Sequence, residues 1–246
     1  MIFPPRLVGD FFCSLRLIGD NMAALNNKKI SQKTRRIVGI AIFSSLAFVV
    51  SLLIRFPVQF LTFDAKDAII TVSAFIYGPV VAPVVSFLAA FLELVTISDT
   101  GWYGFIMNFV SSTVYSLTAS LIYKRLRSLN GALVGIFSAV IATTGVMMGL
   151  NILVTPLYMQ QIGVPMTAAG IVEMIPTVLL PFNFAKTLLN SAVVMLIYKP
   201  LNVALSRLGI GSASPSAMRI GKSTVIISAV GIISLIVSIV IFYILA

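Results

Sequence analysis

The stretch "LLPFNFAKTLLN", residues 179–190, poses a problem that the rest of the chain must solve. Its flanks are apolar enough for lipid, yet Asn183, Lys186 and Asn190 are polar or charged. A lysine near the middle of a membrane helix costs roughly 2.5–3.5 kcal/mol on insertion scales. At about 100° per residue, Asn183 and Asn190 lie about 20° apart on a helical wheel, with Lys186 about 60° and Thr187 about 40° from Asn183. All four share one face, in a stripe roughly 10 Å long. Pro181 precedes the stripe and suits a helix start.

The composition shows why lipid is the expected solvent. Of 246 residues, 59% are hydrophobic and only 10% are charged, against about 25% charged in soluble domains. Mean hydropathy is +1.08. Histidine is absent and Cys13 is the single cysteine. That excludes an internal disulfide, a His-containing metal site and Ser-His or Cys-His dyads. The net charge of +10 fits basic cytoplasmic loops and a lipid surface, and no nucleic-acid partner is expected.

Outward from 179–190, the chain reads as an all-α polytopic membrane protein. Apolar spans are expected at about 37–54, 68–77, 80–97, 102–123, 131–154 and 182–198, with a seventh at 224–246. A connector with both charge signs and three phenylalanines, "RFPVQFLTFDAKD", occupies 55–67. "YGP" at 77–79 and "SDTG" at 98–101 are breaks. "TPLYMQQIGVPM" (155–166) is expected to be a loop, and about 167–180 a short helix ending at Pro181. The expected organisation is an N-terminal cytoplasmic extension (1–32), a six-helix membrane domain (33–208), a polar linker (209–223) and the added helix (224–246). In the extension "RLVGD" (6–10) returns as "RLIGD" (16–20). Two readings of 1–27 stand: an interfacial anchor, or translation from a start upstream of Met22. "GKST" at 221–224 resembles the end of a phosphate-binding loop, but Ser216 stands where that loop needs glycine. It reads as a basic stop before a span.

Orientation follows from the basic residues. With 28–36 inside, Lys28, Lys29, Lys33, Arg35, Arg36, Lys124, Arg125, Arg127, Lys199, Arg207, Arg219 and Lys222 all fall inside, without Asp or Glu. The outer connectors hold Arg55 and Lys66 together with Asp64, Asp67, Asp99 and Glu173. This asymmetry places the N-terminus in the cytoplasm.

Asn151 and Thr155, four apart, then lie near the outer end of the fifth span, and Glu93 near that of the third. With the stripe of the sixth span they outline an outward-facing pocket, for which Met147, Met148, Phe56, Phe60 and Phe63 are candidate apolar walls. Amides both donate and accept, so they suit the edge of a heterocycle carrying C=O and N–H groups. A ligand would satisfy groups that lipid cannot.

Several segments resemble one family. "FLTFDAKDAIITVSAFIYGP" (60–79), "LELVTISDTGWYGFIMNFVSS" (92–112), "NILVTPLYM" (151–159) and "LPFNFAKTLLNSAVVMLIYKPL" (180–201) are similar to the substrate-binding S components of energy-coupling-factor (ECF) vitamin transporters, most closely the riboflavin-specific type. The combination of N-x-x-x-T-P-x-Y with P-F-N-x-x-K is the most specific part. The resemblance covers about 33–205 and implies a six-helix S component that takes riboflavin from outside as transported ligand, with no cofactor and no chemistry. It implies flavin contacts from Asn151, Asn183 and Lys186, with Glu93, Phe63 and Asp64 lining the pocket; Thr155 and Asn190 are taken with them from the stripe. It also implies docking on a membrane coupling subunit served by two ATPase subunits. Small residues of the first helix would make that contact, here Ala41 and Ser45 in small-xxx-small spacing. The seventh span and residues 1–27 lie outside the resemblance and are expected not to touch the pocket. The alternatives are an S component for another vitamin, a stand-alone secondary transporter, for which no inverted repeat is visible, and an intramembrane enzyme using Glu93, Asp99 and Glu173.

Overall fold

The computed structural model describes residues 32–58, 60–126, 128–207 and 222–245. The expectations for 1–27, for Lys28 and Lys29, and for most of the linker lie outside these residues. Residues 39–246 form one compact unit; of the preceding unit, 1–38, the described part is the start of the first helix.

Helix α1 (Gln32–Leu53) leads into an antiparallel hairpin of β1 (Arg55–Val58) and β2 (Leu61–Asp64). Then come α2 (Lys66–Tyr77), α3 (Val81–Thr96), α4 (Gly101–Leu126) and α5 (Leu129–Gln161). A short α6 (Ala168–Met174) passes through a π-helical turn (Ile175–Leu179) into α7 (Leu180–Arg207), and α8 (Lys222–Leu245) follows the linker. Among the described residues, five stretches are long and apolar enough to cross a bilayer: Lys33–Leu53, Gly101–Leu126, Gly131–Gln161, Ala168–Ile197 and Ser228–Leu245. The expected all-α membrane bundle is therefore present, with the hairpin as its non-helical insert.

Helix α2 is short. Its 12 residues rise about 18 Å, well under the roughly 30 Å of a hydrocarbon core. Its first nine residues, Lys66 to Ala74, are all buried, so it starts inside the protein. It ends at Gly78, whose φ of 97° lies where a side chain is disfavoured. That reversal feeds α3 directly. The main core joins Phe43 and Ala47 of α1 to Ile70 and Val72 of α2, Val85 and Ala89 of α3, Tyr115 and Ala119 of α4, Ile136 and Val140 of α5, and Val194 and Met195 of α7. The α4–α5 pair packs closely because Gly135 faces the Ala119 carbonyl, where a Cβ would come within 2.6 Å of the oxygen.

Two proline expectations are corrected. The loop expected from 155 is helical as far as Gln161, with Pro156 inside α5. Membrane helices accept an internal proline where neighbouring groups take up the freed backbone. Nor does helix end at Pro181. The π turn widens the helix before it, with Leu180 N–H donating to Ile175 C=O, and Asn183 Nδ2 donates to Leu179 C=O at 2.8 Å. The wide turn thus stands directly before Pro181, and α6 to α7 remain one span of 30 residues.

Candidate functional site

A cavity of about 910 Å³, counting its open mouth, lies between the hairpin and the ends of α3, α4, α5 and α7. Asn151, Thr155, Asn183, Lys186, Glu93 and Asp64 all line it. The polar residues singled out on separate spans therefore do converge. Met147 and Phe60 supply apolar wall.

Lys186 is 6% exposed, so it does not snorkel to the surface. Its Nζ donates to Asp64 Oδ2 at 2.8 Å and to Thr62 C=O at 3.3 Å. The insertion cost of this lysine is thus offset by a carboxylate of the chain itself. Asp64 is shared: Lys66 Nζ lies 3.6 Å from the same oxygen. Lys66 in turn donates to both oxygens of Glu93, at 2.8 and 2.5 Å. Asn108 Nδ2 donates to Glu93 Oε2 at 3.0 Å. The chain Lys186–Asp64–Lys66–Glu93–Asn108 links α7, the hairpin, α2, α3 and α4, so four helices and the hairpin hold one another's charges. Such a buried network is stable only because each ion has a partner and further hydrogen bonds. Asp67, next to it, accepts from Ser112 Oγ at Oδ1, while its Oδ2 is buried without a partner.

The amides are pre-positioned by their own helices. Asn151 Nδ2 donates to Met147 C=O at 2.7 Å, and its Oδ1 accepts from Thr155 Oγ1 at 3.0 Å. Asn183 is held by Leu179 C=O. An asparagine offers two N–H groups and an acceptor with two lone pairs, so each keeps hydrogen-bonding capacity toward the cavity.

Two expected site residues are placed elsewhere. Phe63 does not line the cavity. It is adjacent to Asp64 in a strand, and successive side chains in a strand point to opposite faces. Asp64, Thr62 and Arg55 share the cavity face, while Phe63 and its cross-strand partner Phe56 share the other. Phe56 and Met148 also lie outside the cavity lining. Asn190 is fully committed within the protein. Its Nδ2 donates to Asp64 C=O at 2.9 Å and to Lys186 C=O at 3.0 Å, and its Oδ1 accepts from Ala68 N–H at 2.9 Å. It therefore caps the start of α2 from α7 and fixes the hairpin's end. Ala41 and Ser45 are exposed on α1, far from these contacts in role, and Ser45 Oγ donates to Ala41 C=O at 3.0 Å. Asp99 and Glu173 are not in the cavity lining.

Lys66 and Asn108 were the residues that sequence reasoning missed. Lys66 reads as a solvated connector residue, yet it is 1% exposed. The signal was available: a glutamate alone in the apolar span around Glu93 requires a buried cation, and "DAKD" holds the nearest one. At the mouth, Arg55 donates to Ile97 C=O at 2.7 Å and to Asp99 at 3.3 Å. Asp99 is 90% exposed, so that pair contributes little.

The family described as "ECF transporter, substrate-specific component" matches residues 35–198. The riboflavin transporter RibU of Staphylococcus aureus (strain TCH60) is 32% identical over 183 residues, 72% of this chain and 95% of the relative. The riboflavin transporter FmnP of Bacillus subtilis (strain 168) is 27% identical over 174 residues, 68% of this chain and 91% of the relative. A solved structure, the S component of a bacterial ECF transporter, shares 31% identity with a TM-score of 0.58, covering 72% of this chain and all of its own. The bundle, its cavity and these matches lead to one conclusion: this chain belongs to the ECF transporter substrate-specific component family.

Proposed function

We propose that this S component binds riboflavin in the cavity and delivers it through docking on a membrane coupling subunit driven by separate ATPase subunits. The observation that carries the reading is the convergence of Asn151, Asn183 and Lys186 on one cavity, in a chain whose curated relatives include two riboflavin transporters. The amides read the C=O and N–H edge of a flavin ring. Lys186 offers a donor to a carbonyl or hydroxyl, and Tyr103, Tyr158 and Phe182 supply ring surface. The protein itself carries out no reaction.

The cavity opens outward and the N-terminus lies in the cytoplasm. The basic ends of the spans support this: Lys124 and Arg125 close α4 at the end opposite its cavity residues Tyr103 to Ser111. Ala41 and Ser45 are the docking positions on α1. Because the Ser45 hydroxyl is bonded within its own helix, this surface presents small groups without an unmet donor, as close helix approach requires.

Titration of riboflavin onto the detergent-purified protein, followed by quenching of flavin fluorescence, tests the reading. Saturable quenching at one site per chain is expected, weakened in Lys186→Ala. Absence of quenching, with saturable binding of a different vitamin, would transfer the same cavity to that ligand.

A further inference from the structure

Helix α8 lies beyond the residues that the family match covers, yet it packs behind one wall of the cavity. The hairpin's two faces show how. One carries Arg55, Thr62 and Asp64 to the cavity. The other carries Phe56 and Phe63, and both pack edge-to-face on Phe242 of α8, with ring centroids 5.9 and 5.6 Å apart. Phe63 also meets Phe182 of α7 at 5.4 Å. A second apolar cluster unites these elements: Val58, Phe63, Phe182 and Ala185, with Ile241, Phe242 and Leu245 against it.

The position of Phe242 is fixed. One turn earlier, buried Ser238 donates to the Ala185 carbonyl at 2.9 Å, so α8 is held in register with the turn of α7 that carries Lys186. A hairpin of four residue pairs is marginal on its own and takes its stability from what it packs against. Here the backing differs between the strands. Phe63 is 3% exposed and has two ring partners, whereas Phe56 is 50% exposed and rests on Phe242. Phe242 is thus the ring that touches both strands. Movement of the hairpin away from the cavity runs against this ring, so Phe242 blocks it.

We infer that α8 is a brace for the cavity's hairpin wall and that Phe242 is a positioning residue, holding Asp64 and Thr62 in place for the ligand without touching it. The ligand readout of this inference rests on the riboflavin reading above. The hairpin readout does not.

The test uses the full chain in detergent, as wild type, Phe242→Ala, Phe242→Leu and the control Ile244→Ala, which alters an exposed residue of the same helix. Amide hydrogen exchange of residues 55–64 is measured without ligand, and riboflavin dissociation by stopped-flow fluorescence. In Phe242→Ala, hairpin exchange and the dissociation rate should each rise about tenfold, while exchange in the α4–α5 core stays at the wild-type rate. Phe242→Leu should rise about threefold, since it keeps apolar volume but loses the ring contacts. Ile244→Ala should match wild type. Wild-type hairpin exchange in Phe242→Ala would overturn the brace. Should that variant not fold, wild-type exchange in Phe242→Leu would overturn it equally. Wild-type protein that binds no riboflavin would defeat the functional reading, and the exchange arm would still decide the role of α8.

Discussion

Helices α7 and α8 lie side by side and are both apolar, but they are held by different physics. Helix α7 buries Asn183, Lys186, Thr187, Asn190 and Ser191. Each must find a partner: Asn183 and Thr187 find theirs within a turn of helix, while Lys186, Asn190 and Ser191 reach distant parts of the chain, Asp64, Thr62, Ala68 and Tyr115. Helix α8 has buried Ser234 and Ser238 and no charge between 224 and 245. Its outer face is Ile232, Ile233, Ile236, Ile239, Val240, Tyr243 and Ile244, all exposed. Polar groups in lipid dictate depth, rotation and neighbours, because leaving one unpaired is costly. An apolar helix such as α8 is placed mainly by packing, here with the Ser238 bond to the Ala185 carbonyl beside it, and lipid is an acceptable alternative to protein for the rest of its surface.

This contrast can be broken first at the ion network. Glu93→Gln removes a charge paired with a buried lysine, which leaves Lys66 with Asp64 at 3.6 Å alone. A loss of about 3 kcal/mol in stability is expected, read as a lowered unfolding midpoint in detergent; an unchanged midpoint would mean that the network contributes no stability. Next are the cavity groups. Lys186→Ala and Asn183→Ala should each weaken riboflavin binding by roughly 1–3 kcal/mol, measured by fluorescence titration. Unchanged affinity in both would make the stripe structural. Asn190→Ala sharpens the distinction within one helix. It should lower stability by about 1–2 kcal/mol through the loss of three buried hydrogen bonds, with a smaller effect on affinity than Asn183→Ala. Equal loss of affinity would return Asn190 to the binding surface. The smallest effect on binding belongs to Ala41→Leu on exposed α1. Affinity should be unchanged while cellular riboflavin uptake falls, and uptake at the wild-type rate would remove Ala41 from the docking face.

The same contrast explains what could be read without a structure. The stripe on α7 was legible because Asn183, Lys186 and Asn190 share a helical face, and the pocket because Asn151 and Glu93 sit at matching depth on other spans. The identity of Lys186's partner was not, because Asp64 lies 122 residues away in a connector with no helical period. Phe63 was misplaced for the same reason. Only the hairpin register, with Phe56 opposite Phe63, shows which side each residue takes. The prolines misled in two spans. Pro156 and Pro181 read as helix ends, but Pro156 lies inside α5 and Pro181 follows a π turn within one continuous span. Helix α8 was visible as a span, and its contact with the hairpin was not. A single phenylalanine in "IVIFYIL" carries no sign of what it touches.

The most direct measurement is the visible absorption spectrum of the protein purified from cells grown with riboflavin. The account predicts a yellow sample with flavin bands at close to one flavin per chain. A colourless sample that also fails to take up added riboflavin would contradict it, leaving the S-component fold with a different vitamin in its cavity.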